Sequence, residues 1–303
     1  MLDAAKRARV RVNASTAKAK RRPKWIKISP EKAEATKAIR KLMRKQALHT
    51  VCEEAMCPNL GECYGSGTAT FLMLGDICTR SCKFCDVKHG KPKVLDWDEA
   101  ERIAQAVKTM NLKHAVITSV NRDERRDGGA PIFAMVIRKI HELMDDCSVE
   151  VLIPDFKGSV EALKIVMDAK PDILNHNVES VPRLFKEIQP QSNYATSESV
   201  LRNAKKLMPN GLTKSGIMVG MGEKMEELKE VIRDLRTWDV DILTIGQYLQ
   251  PSKNHLPIAR YYTLEEFTEL EEFGVNLGFK WVESAPLVRS SYHAAEQVRA
   301  LRV

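Results

Sequence analysis

The stretch Thr70-Phe71-Leu72-Met73-Leu74-Gly75-Asp76-Ile77-Cys78-Thr79-Arg80-Ser81-Cys82-Lys83-Phe84-Cys85 joins an apolar run to three closely spaced cysteines. Residues 70–74 are short, continuously apolar and closed by a glycine, which reads as a buried strand ending at a turn. The strand delivers the chain directly into a Cys-x3-Cys-x2-Cys loop. A buried strand feeding a chemically loaded loop is what an α/β fold with parallel strands produces, because such folds place their chemistry at the C-terminal strand ends.

Downstream the alternation continues. Strands are expected over 114–120, 149–153, 172–174, 215–219, 241–245 and 281–284. Helices are expected over 98–110, 131–144, 160–169, 182–188, 198–208, 225–237 and 264–277. Alternating strands and helices argue for βαβ units in a parallel sheet. The fold class expected is α/β: a partial (β/α)6-type TIM barrel over residues 70–285, with N-terminal and C-terminal extensions. No Gly-x-Gly-x-x-Gly loop is present, which counts against a dinucleotide-binding oxidoreductase. Residues 286–303 form the C-terminal extension.

Upstream, residues 1–24 read as a flexible basic arm and residues 25–69 as an N-terminal extension carrying a first set of cysteines. Trp25 and Ile26 are placed to dock the arm on the body, residues 31–47 read as a short helix, and the cysteine segment after it reads as loop. Residues 1–46 hold 16 Lys and Arg against three acids, a net +13 in a chain of +8, so the rest carries −5. The arm would suit an acidic partner, and a solvated tail is the plain alternative. With 44% hydrophobic residues the chain of 303 can bury a full core. The longest apolar runs fall far short of the ~20 residues of a membrane span. With no signal-peptide pattern either, the cytoplasm is the expected location. An Arg-rich start also resembles a mitochondrial transit peptide, but Asp3 and the frequent lysines fit that poorly.

Six of the seven cysteines fall between Cys52 and Cys85. A long chain without an export signal uses such a cluster for metal more readily than for disulfides. Three thiolates on one loop, Cys78, Cys82 and Cys85, suit three irons of a cubane cluster and leave the fourth iron open. Taken alone, Cys52, Cys57 and Cys63 offer three more thiolates and nothing further. Zinc prefers two Cys pairs or matched histidines, a pattern absent here. Cys147 reads as a buried inert thiol.

At the Cys-x3-Cys-x2-Cys loop, with Phe84 before the last cysteine, the sequence resembles the radical S-adenosylmethionine superfamily. Cys52-Glu53-Glu54-Ala55-Met56-Cys57-Pro58-Asn59 with Cys63, Asn175-His176-Asn177, Thr213-Lys214-Ser215-Gly216 and Arg289-Ser290-Ser291-Tyr292 narrow the resemblance to the lipoyl synthase family. The resemblance implies two [4Fe–4S] clusters and S-adenosylmethionine. One cluster on Cys78, Cys82 and Cys85 cleaves the cofactor to a 5′-deoxyadenosyl radical. The other, on Cys52, Cys57, Cys63 and the serine Ser291, is consumed as sulfur donor. The product is a lipoyl group, with sulfur placed at C6 and C8 of a protein-bound octanoyl-lysine.

Residues expected about S-adenosylmethionine are the strand-end groups Thr118, Ser119, Asn121, Glu150, Asn175 and His176. Gly220 joins them, in a segment resembling the superfamily's adenine-facing Gly-x-Ile-x-Gly-x-x-Glu. Arg80 and Lys83 are expected to offset cluster charge. Arg183 and Lys214 are candidates to steer a carboxylate. His293 is a candidate to support the second cluster. Met218, Leu249 and Phe71 suit an apolar channel. The partners implied are octanoylated lipoyl carrier domains (2-oxoacid dehydrogenase E2 subunits and the glycine cleavage H protein), an electron donor such as flavodoxin or ferredoxin, and a cluster-repair carrier. No nucleic acid and no membrane are expected. Two other readings stay open on sequence grounds: a related radical enzyme modifying RNA, and a nucleic-acid-binding protein with structural zinc.

Overall fold

The computed structural model describes residues 22–26, 33–65 and 69–301. The basic arm lies outside these residues apart from Arg22, Pro23 and Lys24. Ile26 is buried and Trp25 half-exposed, so Ile26 does the docking.

The chain begins with α1 (Ala33–Lys45), β1 (His49–Thr50), α2 (Val51–Glu54) and α3 (Leu60–Gly65). The first cysteine segment is therefore helical at both ends, where a loop was expected. Thr50 Oγ1 accepts from the amide of Glu53 and so caps α2, and it also bonds the Tyr64 hydroxyl of α3 at 2.7 Å. That one threonine folds the segment onto itself. Glycine and proline content alone concealed this.

The repeating body follows: β2 (Thr70–Met73), α4 (Glu99–Thr109), β3 (His114–Ser119), α5 (Ala130–Leu143), β4 (Ser148–Leu152), α6 (Val160–Met167) and β5 (Ile173–Asn175). It continues with α7 (Phe185–Ile188), α8 (Tyr194–Leu207), β6 (Leu212–Val219), α9 (Met225–Thr237), β7 (Ile242–Gln247), α10 (Leu264–Asn276), β8 (Trp281–Ser284) and the terminal α11 (Ala294–Leu301). The strands form one sheet in chain order, β1 antiparallel to β2 and every later pair parallel. Among the described residues β8 does not pair back to the first strands, so the barrel stays open. Seven parallel strands joined by helical crossovers give the six βα units expected. β6 starts at Leu212, earlier than the apolar pattern suggests, because Asp241 Oδ2 accepts from the Thr213 amide at 2.9 Å and holds the polar start in register.

Phe71 and Met73 are fully buried in the apolar cluster shared by β2, β3, β4 and their helices. Each such side chain contributes roughly 1.5–3 kcal/mol. Cys147 lies in the same cluster, as an inert thiol should. A second cluster packs β6 and β7 against α9 and α10. A third, smaller one lies at the strand starts, where Val298 of α11 meets Ile173 and Ile242. α11 thus closes the end of the barrel opposite the strand ends that carry the cysteine loop.

Candidate functional site

One cavity of about 600 Å³ opens at the C-terminal strand ends. Its walls include Cys78, Cys82 and Cys85 of the loop after β2, Cys52 and Cys57 of the N-terminal extension, and Ser291 of the C-terminal extension. Segments far apart in sequence meet there.

The loop of the second triplet is fastened at several points. The Cys78 amide donates to Lys88 O at 2.8 Å, and the amides of Asn121 and Arg80 donate to Cys78 Sγ at 3.3 and 3.4 Å. The Lys83 amide donates to Ile188 O, and Lys83 O accepts from the Leu256 amide. His255 Nε2 lies 3.2 Å from Cys85 O. Lys83 itself points to solvent. The charge of Arg80 acts on the Cys82 thiol as expected, but its buried guanidinium is also committed, donating to both oxygens of Asp123 at 2.8 and 2.9 Å and both of Asp155 at 2.7 and 2.5 Å. Its charge is matched by carboxylates, so it clamps the loop. Burial alone would raise the Asp155 carboxyl; Arg80 outweighs this and holds it below its ordinary range.

In the first triplet the Cys57 amide donates to Cys52 O and the Cys63 amide to Asn59 O. Asn59 then reaches across the fold, donating from Nδ2 to Leu287 O at 2.7 Å, and Tyr292 Oη bonds Glu62 Oε1 at 3.1 Å. The C-terminal segment is thereby laid over the triplet. Burial raises the Cys57 thiol and the charge of Arg289 opposes it. Cys63 does not line the cavity, yet burial and then Cys57 push its thiol up to about 12. Gly246 makes the approach possible, since a Cβ there would lie 2.1 Å from Val288 O. Ser290 Oγ bonds Asn177 Nδ2 at 3.0 Å. Ser291 O accepts from the Ala294 amide in the turn that leads into α11, whose first carbonyl acceptor is that of His293. Among the described residues its hydroxyl has no hydrogen-bond partner.

Burial and then neighbouring thiols raise Cys52 to about 12. Burial, then Cys85, raises Cys82 to about 12, and burial with Cys78 contributes to Cys85 at about 11. Packing two soft donor sets this way is unfavourable for bare thiolates and is relieved when a metal displaces the protons. Among the described residues no group of three or more His, Cys, Asp or Glu side chains is set to hold a single metal ion.

Thr118, Ser119, Asn121 and His176 line the cavity as expected. Ser119 Oγ is buried without a partner. His176 is committed elsewhere: Nδ1 bonds Ile153 O and Nε2 bonds Ser197 Oγ, both at 3.0 Å, and burial lowers its pKa so that the ring is neutral. Glu150, Asn175 and Gly220 do not line the cavity. Glu150 sits two residues before Leu152, a lining residue, so it shares the inward face one layer deeper, roughly 6–7 Å down the strand. There it bonds Asn175 Nδ2 at 2.9 Å and Lys214 Nζ at 3.2 Å. Gly220 (φ +100) makes a turn in which Glu223 accepts from the amides of Gly220 and Met221. A Cβ there would collide with Gln247 and Arg260.

Several other expectations resolve. Met218 and Leu249 line the cavity, whereas Phe71 is fully buried in the core. Arg183 forms an exposed ion pair with Glu227 at 2.7 Å, and Lys214 is enclosed, so neither steers a ligand. His293 stacks on Tyr292 and faces Glu283 at 3.6 Å. Sequence reasoning missed Glu179, on the cavity wall with φ +66 and pushed up to about 7 by burial against the pull of Asn177 and Arg289. Its place just beyond Asn175-His176-Asn177 was the available signal.

A model of the Radical SAM superfamily matches residues 72–235. The lipoyl synthase of Rubrobacter xylanophilus is 57% identical over 281 residues, 93% of this chain and 88% of that one. That of Bacillus cytotoxicus is 53% identical over 284 residues, 93% and 95% of the two chains. Among solved structures, HydG, a maturase of the [FeFe]-hydrogenase, is similar at a TM-score of 0.56 and 14% identity, covering 89% of this chain and 59% of that one. That likeness is one of fold.

Proposed function

This chain belongs to the lipoyl synthase family of the radical SAM superfamily, and we propose from that premise how its residues divide the work. The activity is that of a lipoyl synthase: a radical SAM sulfurtransferase that converts a protein-bound octanoyl group to lipoyl, using S-adenosylmethionine and two [4Fe–4S] clusters. When bound, these groups supply the radical that activates C6 and C8 and the sulfur that replaces hydrogen there.

Cys78, Cys82 and Cys85 hold the cluster that takes S-adenosylmethionine, and Cys52, Cys57, Cys63 and Ser291 hold the second. The observation that carries this division is the meeting of both triplets' residues with the serine-bearing segment at one cavity. A hydroxyl oxygen is a harder and weaker iron ligand than thiolate, which suits a cluster that must be dismantled. Thr118, Ser119 and Asn121 lie on the wall beside the loop that carries Cys78, and the unpartnered Ser119 hydroxyl is free to bind the cofactor. Arg80 keeps the loop in place.

An octanoyl chain has no polar handle at C6 or C8, so apolar walls must position it. Leu72, Val116, Met218, Leu249 and Ile258 supply them. Arg22, where the basic arm meets the body, also reaches the lining beside Tyr261. The substrate is a lipoyl carrier domain; E2 subunits and the H protein, a flavodoxin or ferredoxin donor and a cluster-repair carrier are the partners we propose. Among the described residues no helix is long and apolar enough to cross a membrane. We place the protein in the cytoplasm, where seven unpaired cysteines stay reduced.

The test is to mix anaerobically reconstituted protein with S-adenosylmethionine, a reductant and an octanoylated peptide, then measure masses. A gain of two sulfur atoms with 5′-deoxyadenosine is expected. Formation of 5′-deoxyadenosine with no sulfur gained would refute the donor assignment.

A further inference from the structure

Lys214 of β6 is fully enclosed and lies outside the cavity wall. Its ammonium has two partners, Glu150 Oε2 at 3.2 Å and Gln297 Oε1 at 2.8 Å. Glu150 is equally enclosed, receives a hydrogen bond from Asn175 and faces His114 Nε2 at 3.5 Å; Glu283 adds its charge from β8. A buried ion pair is a poor means of stabilising a barrel interior, since apolar side chains of similar size usually do at least as well. Its presence calls for a task that apolar side chains cannot perform.

The task is visible at Gln297. This residue belongs to α11, is fully enclosed, and donates from Nε2 to Tyr292 O at 3.2 Å. A continuous polar chain therefore runs from Glu150 in β4 through Lys214 in β6 and Gln297 in α11 to the backbone next to Ser291. Lys214 joins the strand interior to a helix whose Val298 and Leu301 pack with Ile173 and Ile242. We propose that Lys214 is a positioning residue, which through Gln297 anchors the C-terminal segment so that Ser291 stays at the thiols of Cys52, Cys57 and Cys63. The consequence for the cluster rests on the assignment of Ser291 made above, but the anchoring does not.

Gln297→Leu tests it, because it leaves Lys214 paired with Glu150 while removing both bonds of Gln297, the one from Lys214 and the one to Tyr292 O. In the cluster-free protein, amide hydrogen exchange over residues 288–293 should rise about tenfold while β6 and β7 stay protected. After reconstitution, iron should fall from about eight toward about four atoms per chain, with S-adenosylmethionine cleavage retained. Gln297→Glu keeps an acceptor for Lys214 and loses the amide donor to Tyr292, so it should loosen residues 288–293 in the same way. Unchanged exchange in Gln297→Leu overturns the anchor. So does loosening spread evenly over the barrel, which a merely structural role would give; loosening confined to residues 288–293 with full iron retained supports the anchor and overturns its consequence for the cluster. Wild-type protein that itself takes up only four irons refutes the two-cluster assignment, and the exchange contrast then decides the anchor alone.

Discussion

Ser290 and Ser291 are adjacent and both line the cavity, yet their surroundings differ. Ser290 is tied to Asn177, whereas the Ser291 hydroxyl has no hydrogen-bond partner among the described residues. Ser291→Ala should abolish the disulfurated product and leave 5′-deoxyadenosine formation intact, both read by mass spectrometry; full product would refute the assignment. Gly246→Ala should reach the same end from behind. Its methyl would sit 2.1 Å from Val288 O, so the C-terminal segment must move. Overpacking of this kind costs about 1–3 kcal/mol, and iron content should drop while the first cluster's cofactor cleavage persists. Residues such as these were legible as types and not as positions. The two cysteine spacings and the serine pair are local patterns. That Cys57 and Ser291 line one cavity goes with Asn59 reaching Leu287 and Tyr292 reaching Glu62, contacts between residues no local pattern links.

At the level of elements, alternation of apolar strands and amphipathic helices was readable because each has its own period. Depth along an inward face was not. Glu150 and Leu152 project to the same side of β4, and only the strand register decides that Leu152 lines the cavity and Glu150 meets Lys214. The loops between elements depend on charge pairs whose partners sequence cannot match. Arg80 with Asp123 and Asp155 joins the loop after β2 to those after β3 and β4. Arg80→Lys keeps the charge but loses the planar, bidentate geometry. It should cost about 3 kcal/mol in urea unfolding and lower iron uptake at the second triplet; unchanged stability would show the clamp to be dispensable. Asp241 plays the same part at the opposite strand ends, pairing with Lys205 at 2.7 Å and Lys280 at 2.9 Å. Burial raises its carboxyl, but Lys205, the Thr213 amide and Lys280 together hold it below the ordinary value. A depressed carboxyl stabilises the fold above its unfolded pKa of about 3.9, and that stability is lost as pH falls through the folded value. Wild-type protein should therefore lose stability below about pH 4 more steeply than Asp241→Asn, which starts from a lower plateau. Parallel curves would remove Asp241 from the account.

Over the whole molecule, charge is divided between a net +13 in residues 1–46 and −5 in the remainder. The body alone would thus repel an acidic carrier domain mildly, and attraction would have to come from the basic segment. Arg22 lies on the cavity lining, so the described end of the basic segment borders the cavity. Such steering acts over distances that salt screens, about 10 Å at 0.1 M ionic strength and about 3 Å at 1 M. It changes encounter more than the chemistry that follows. Raising salt from about 0.05 to about 0.3 M should then reduce kcat/KM several-fold on a whole acidic carrier domain and much less on a short octanoyl-lysine peptide. Removing residues 1–21 should bring the carrier down to its high-salt value and flatten the response, while leaving the peptide reaction unchanged. Equal salt effects on the two substrates would mean that the arm has no part in recognition, and that the carrier is selected by the cavity mouth alone.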